Sequence, residues 1–218
     1  MENTFDISSV VRRLHRWSRE ELGKDYRRGF GRSDPYRVLV STIIGLQTRG
    51  AVAHRVSEAL WARASTPQEI LAMPQEELAA ILKSSGRSGR KAAQIQATTE
   101  ILRDEYDWAV PNNMGLLTSL PGVGRKTANL VIEIGFGEPA MCVDTHVHRI
   151  NNHWGWIHTR NPDETERVLR ERLPRRLWRG FNPLLVTFGN RVCWPTSPKC
   201  SICPVADSCQ QVGVSRKR

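Results

Sequence analysis

Cys193, Cys200, Cys203 and Cys209 follow a C-x6-C-x2-C-x5-C pattern near the end of the chain. Four thiolates so close in sequence can surround one metal centre. Ligation by four cysteines is the usual arrangement for an iron–sulfur cluster. Zinc is the rival, although its four-cysteine sites commonly come as two C-x2-C pairs and only one such pair is present. A second stretch, Ser119-Leu120-Pro121-Gly122-Val123-Gly124-Arg125-Lys126-Thr127-Ala128-Asn129, reads as a tight hairpin between helices. Pro121 presets one backbone angle, and Gly122 and Gly124 permit positive φ or close backbone approach. The N–H groups opening the following helix form a natural anion site. No Gly-Lys-Ser/Thr ending follows and no buried strand precedes, so a P-loop is a poor fit.

The elements that must position these groups are helical. Ile7, Val10, Val11, Leu14, Trp17 and Leu22 recur at helical spacing, with Arg12, Arg13, Arg16 and Arg19 on other faces. Ser33-Asp34-Pro35 opens a helix running toward Gln47, and Gly50 separates it from the next. Thr66-Pro67-Gln68-Glu69 is a capping box, and Pro74 starts another helix. Gly86-Arg87-Ser88-Gly89-Arg90-Lys91 reads as a basic turn leading into a helix from about Ala92 to Tyr106. The spacing of Val123, Ala128, Leu130, Val131 and Ile134 predicts a helix of about three turns after the hairpin. Asp144-Thr145 reads as a helix cap, and Asn161-Pro162-Asp163-Glu164 caps the helix after it. No strand-like run exceeds a few residues, so the fold class is all-α.

With 218 residues and a formal charge of +10, the chain can bury a real core and calls for a polyanionic partner. No run approaches the ~20 apolar residues that span a bilayer, and the first residues lack the basic and apolar regions of a secretory signal. The expectation is a cytoplasmic, nucleoid-associated protein with no membrane contact. In a reducing compartment the five cysteines point to metal ligation, with Cys142 a packed core thiol.

Leu120-Pro-Gly-Val-Gly-Arg-Lys126-Thr-Ala-Asn129, then Val143-Asp144-Thr145-His146, then the four-cysteine loop resemble the endonuclease III family of the helix-hairpin-helix DNA glycosylases. The similarity runs from about Asp34 to Cys209. It implies two all-α domains with a DNA-binding groove between them. One is a six-helix domain over residues 28–138. The other joins residues 1–27 to 139–218 and holds a [4Fe–4S] cluster on Cys193, Cys200, Cys203 and Cys209.

The resemblance also assigns roles. Lys126 matches the family's nucleophile, whose amine attacks C1′ of a damaged nucleotide and, through a Schiff base, permits β-elimination. Asp144 matches its catalytic aspartate, stabilising positive charge on the sugar and relaying protons. Gln47 matches the residue that fills the gap left by an extruded base. Arg87 falls where the family usually carries an apolar second wedge. Gly122, Gly124, Arg125, Thr145 and His146 belong to the matching motifs and are expected at the DNA. The implied protein is a monomer that binds duplex DNA holding damaged bases or abasic sites and removes oxidised pyrimidines.

Three positions depart from the family: Arg87, Gly50 where Asp is common, and the 193–200 loop, whose one basic residue is Lys199. Arg170, Arg172, Arg175, Arg176 and Arg179 are candidates to supply the missing phosphate grip, with a solvated basic surface as the simpler alternative. His146, His148 and His153 form no complete zinc set. Mismatch glycosylases of the same fold carry Ser or Tyr where Lys126 stands, which argues against a monofunctional mismatch enzyme. A monofunctional glycosylase of the same fold for other lesions and a non-enzymatic DNA-binding module are the remaining alternatives.

Overall fold

A computed structural model describes residues 5–26 and 33–218, and every regular element among them is helical. The all-α expectation is therefore borne out. The boundary read at residue 28 lies outside the described residues. The chain forms two compact units, one of Met1–Gly31 with Pro139–Arg218 and one of Arg32–Glu138.

The continuous unit contains α2 (Pro35–Gly45), α3 (Gly50–Arg63), α4 (Pro67–Ala72), α5 (Gln75–Ile81), α6 (Ser88–Tyr106), α7 (Met114–Ser119) and α8 (Arg125–Leu130). Local chemistry sets these boundaries. Asp34 caps α2, its Oδ1 accepting from the Arg37 N–H at 2.7 Å, with Pro35 at the first helical position. The capping box of α4 is complete: Thr66 accepts from the Glu69 N–H, and Glu69 accepts in return from the Thr66 N–H. Apolar residues of these helices, among them Leu39, Ile43, Leu60, Leu78, Ile95 and Leu117, form one buried core.

Three helix boundaries differ from the sequence reading. α2 stops at Gly45, before Leu46 and Gln47, and Gln47 has a φ of +53°. α6 begins at Ser88 rather than near Ala92, because Gly86 and Arg87 both adopt positive φ and make the whole turn in two residues. Arg90 and Lys91 are therefore helical. The helix after the hairpin reaches three turns only by loosening, since α8 passes into a π-turn over Val131–Gly135. There Gly135 lies so near Pro35 that a Cβ would approach the Pro35 Cα to 2.9 Å.

The discontinuous unit contains α1 (Ile7–Leu22), α9 (Thr145–Trp154), α10 (Pro162–Arg172) and α11 (Phe181–Arg191). Leu14 of α1, Ile150 and Trp154 of α9, Leu169 of α10 and Phe188 of α11 share its core. Trp17 meets Phe188 edge-to-face at 5.6 Å. Residues after α11 form a loop with two short 3₁₀ turns, Cys200–Ile202 and Ala206–Ser208. Arg13 on α1 holds this loop, donating to the Pro204 carbonyl and to Asp207 at 2.7 Å.

Candidate functional site

The hairpin is built as its residues dictate. The Val123 N–H donates to the Leu120 carbonyl at 3.1 Å across Pro121 and Gly122. Gly122 has a φ of +77°, so Leu-Pro-Gly-Val is a turn with Pro at its second position and glycine at its third. A Cβ on Gly122 would lie 2.8 Å from the Gln94 side chain, which makes glycine doubly required. Thr98 of α6 donates to the Pro121 carbonyl at 3.0 Å and pins the turn from behind. Gly124 is different. Its φ is −92°, and apart from its immediate chain neighbours no atom stands within 4 Å of the place its Cβ would take. Arg125 and Lys126 follow at the start of α8, both exposed.

Beside the hairpin, Leu46, Gln47, Arg87, Arg90, Gln94 and Gly122 line a pocket of about 690 Å³. Three residues singled out from the sequence, Gln47, Arg87 and Gly122, thus come together. Gln47 and Arg87 are exposed residues with φ of +53° and +50°, a conformation costing about 1 kcal/mol or more in each non-glycine residue. A lysine holds both turns in place. Lys91 is 4% exposed, and its Nζ donates to the Ile44 carbonyl at 2.7 Å, to Thr48 Oγ1 at 2.8 Å and to the Ser85 carbonyl at 2.9 Å. Burial, then the neighbouring Arg87, holds its ammonium below the ordinary lysine pKa. The sequence reading placed Lys91 in a basic turn and missed it. The signal was present: helical spacing puts it on the buried stripe of Ile95, Thr98 and Leu102.

In the discontinuous unit, Asp144 is the N-cap of α9, and its Oδ1 accepts from the N–H groups of both His146 and Val147 at 2.9 Å. Both bonds fall on one carboxylate oxygen, leaving Oδ2 outside the cap. Thr145 is exposed at the first helical position, and His146 Nδ1 lies 3.3 Å from Arg149 Nη2. His148 pairs with Thr165 Oγ1 at 2.7 Å, and His153 Nδ1 with the Val212 carbonyl at 2.6 Å.

Cys193, Cys200, Cys203 and Cys209 all line one pocket, with Trp154, Phe188, Val192 and Val205's neighbour Ala206 among its surroundings. Among the described residues no group of three or more His, Cys, Asp or Glu is arranged to hold a metal ion. The chemistry of the donor set nevertheless suits a cluster. Burial pushes the Cys193 thiol up to about 12 and that of Cys203 up to about 11, so thiolates there call for a cationic centre beside them. The Gln211 N–H points at Cys209 Sγ from 3.4 Å, a donor suited to a thiolate ligand. Arg149 fixes the Cys193 carbonyl at 2.7 Å. Lys199 stacks on Trp194, 4.8 Å from the ring centre. Cys142 is buried in the core as expected.

The sequence profile of the HhH-GPD superfamily of base excision DNA repair proteins matches residues 40–175. Endonuclease III of Thermotoga maritima is 42% identical over 190 residues, which is 87% of this chain and 89% of that protein. The chain belongs to the endonuclease III family of the HhH-GPD superfamily. It is thereby a base excision DNA repair enzyme, as the three motifs implied. Endonuclease III of Bacillus subtilis is 35% identical over 82% of each chain. An endonuclease III solved as a trapped covalent intermediate with DNA superposes with a TM-score of 0.81, at 30% identity over 94% of this chain and 95% of that one. Among the described residues, no helix of this HhH-GPD protein is long and apolar enough to cross a membrane.

Proposed function

We propose that this protein is a bifunctional DNA glycosylase and abasic-site lyase acting on oxidised pyrimidines in duplex DNA, with Lys126 as the nucleophile. One observation carries the reading. Lys126 is an exposed amine in the first turn of α8, directly after a hairpin that Thr98 and Gln94 hold rigid from the protein side. Gly124, two residues earlier, packs against nothing beyond its chain neighbours, and a bare backbone there suits the close approach of a phosphate.

The amine, as free base, attacks C1′, and the electrons of the glycosidic bond leave with the base, which takes a proton. Cleavage of the C1′–O4′ bond, whose oxygen takes a proton as the nitrogen loses one, opens the sugar and gives the Schiff base. Removal of a C2′ proton then expels the 3′ phosphate, and water releases the amine. Asp144 is the carboxylate that balances positive charge on the sugar and moves these protons. Gln47 and Arg87 enter the space vacated by the base, with Lys91 fixing the turns that present them. Arg125, Thr145 and His146 lie along the bound strands, and Gly122 and Gly124 let the backbone meet a phosphate. The chain works as a monomer, in the cytoplasm with the nucleoid.

Cys193, Cys200, Cys203 and Cys209 hold a [4Fe–4S] cluster. When bound it ties the loop that α1 braces through Arg13, and the surrounding apolar residues keep water from the thiolates. About four irons per chain and a brown protein are expected. Stoichiometric zinc without iron would replace the cluster by the rival metal. The lyase assignment is tested by borohydride trapping on an abasic duplex. Wild type forms a covalent adduct, and Lys126→Ala forms none while still binding the duplex. Equal trapping by both proteins would remove the lysine from its role.

A further inference from the structure

Nine arginines lie on α1 and between residues 170 and 179, and the fold sorts them into two sets. Four are engaged in the unit's own structure. Arg13 grips the 204–208 loop, and Arg170 pairs with Glu166 at 2.8 Å. Arg172 stacks on Trp156 at 5.4 Å, and Arg175 lies 6.0 Å from the Trp178 ring centre. The other five, Arg12, Arg16, Arg19, Arg176 and Arg179, converge on a single pocket of about 800 Å³ floored by Val11 and Leu177.

The convergence is built from both sides. Arg12, Arg16 and Arg19 follow the spacing that places residues on one helix face. Arg176 and Arg179 come from a turn that ends at Gly180, whose φ is +73° and whose missing Cβ leaves room for the Tyr26 carbonyl. Like charges at this helical spacing oppose folding. Among the described residues no carboxylate lines the pocket. Asp25 lies 4.0 Å from Arg19, and the Ser8 hydroxyl accepts from Arg176 at 3.2 Å. Five guanidiniums gathered this way form a receptor for an anion. Their planar forks match phosphate oxygens in pairs, which a lysine surface does not.

We propose that this pocket is a second nucleic-acid backbone site, clamping two phosphates of duplex DNA through contacts independent of the hairpin. The ligand class rests on the reading of the chain as a DNA enzyme; the pocket does not depend on Lys126. The 193–200 loop offers only Lys199, which lies over Trp194, so the phosphate grip missing from that loop has an alternative source in the same unit.

The test is binding of an undamaged, fluorescently labelled duplex by anisotropy across a salt series. Each neutralised phosphate contributes ~0.9 to the slope of log K against log salt. Arg16→Ala/Arg179→Ala is compared with Arg160→Ala/Arg167→Ala, exposed arginines of equal charge outside the pocket. The pocket pair is expected to lower the slope by one to two units and weaken binding at least tenfold at low salt, the control pair by less than half a unit. Arg16→Lys/Arg179→Lys, which keeps charge and folding, retains the slope with a few-fold loss of affinity. Equal slopes for the pocket and control pairs would overturn the proposal. Inorganic pyrophosphate is the second probe and should compete with duplex on wild type but not on the pocket variant. Pyrophosphate binding that needs these arginines, with an unchanged duplex slope, would assign the pocket to a free phosphate ligand and overturn the backbone site. No adduct from wild type, or equal adducts from wild type and Lys126→Ala, together with a lowered slope for the pocket pair would sink the lyase reading and leave this one standing.

Discussion

Lys91 places its ammonium 2.7 Å from the carbonyl of Ile44, a residue at the opposite end of the pocket-forming turns in sequence. The same nitrogen reaches the Ser85 carbonyl, so one cation fastens the turn carrying Gln47 to the turn carrying Arg87. Both turns hold a residue in the left-handed region, and the lysine supplies what keeps them there.

Lys91→Met should therefore do more than lose a charge. It leaves the Ile44 and Ser85 carbonyls to share the single proton of the Thr48 hydroxyl, at about 1–3 kcal/mol in total. The expected result is a lower denaturation midpoint together with weaker binding of an abasic duplex. A variant with wild-type affinity would show that Gln47 and Arg87 hold their turns unaided.

The two hairpin glycines make opposite predictions. Gly122→Ala forces a Cβ onto a positive φ and toward Gln94, costing about 1–2 kcal/mol of stability as well as function. Gly124→Ala meets no atom beyond its chain neighbours and has an ordinary φ, so the gain from a stiffer unfolded chain and the loss at the N-cap of α8 nearly cancel and stability stays within about 0.5 kcal/mol. Binding of abasic duplex should still fall for Gly124→Ala, because the added methyl group obstructs an outside partner. Thermal melts and anisotropy on the same samples separate the two cases.

Asp144 is at once a helix cap and the proposed catalytic carboxylate. Asp144→Asn retains an oxygen for the His146 and Val147 N–H groups and should melt within about 0.5 kcal/mol of wild type. Asp144→Ala loses the cap and should cost about 1 kcal/mol. Single-turnover base release is expected to fall steeply in both. If the Asn variant excised bases at the wild-type rate, the carboxylate would be a cap alone.

His148 gives the discontinuous unit a pH dependence of definite sign. Burial holds its imidazole below the ordinary histidine value, against the opposing pull of Glu164. Above about pH 6.5 the ring is neutral in both folded and unfolded chains, and its contribution is fully present. As pH falls below that, the unfolded chain takes up the proton first and stability drops until the folded ring titrates too. The melting temperature of wild type should decline between about pH 6.5 and 5, and His148→Gln should flatten that part of the curve. An unchanged slope in the variant would assign the decline to other groups.

Much of the fold was legible because its determinants are local. The Thr66–Glu69 box, Asp34-Pro35, and the turn Leu120–Val123 each declare themselves within four residues, and each is present. The candidate site was legible where motifs are contiguous, as at Gly122 to Lys126 and at the four cysteines. What stayed hidden depends on partners distant in sequence. Lys91 looked like one more basic residue because its acceptors at Ile44 and Thr48 lie on another helix and the turn beyond it. The division of nine arginines into structural and pocket-lining sets likewise follows from which ring or carboxylate each one meets. Spacing shows that Arg13 and Arg16 occupy one helix; only the packing of the 204–208 loop separates their uses.

The grip of Arg13 on Pro204, Asp207 and Ser208 also sets a timetable for synthesis. Its partners emerge from the ribosome nearly two hundred residues later, whereas the helices from α2 to α8 find theirs within one uninterrupted segment. The middle of the chain can thus close on itself while α1 waits with its apolar face uncovered, a long-range pairing of the kind that slows folding. Moving α1 by circular permutation to follow the 204–208 loop would end that wait and should speed the appearance of the four-cysteine unit.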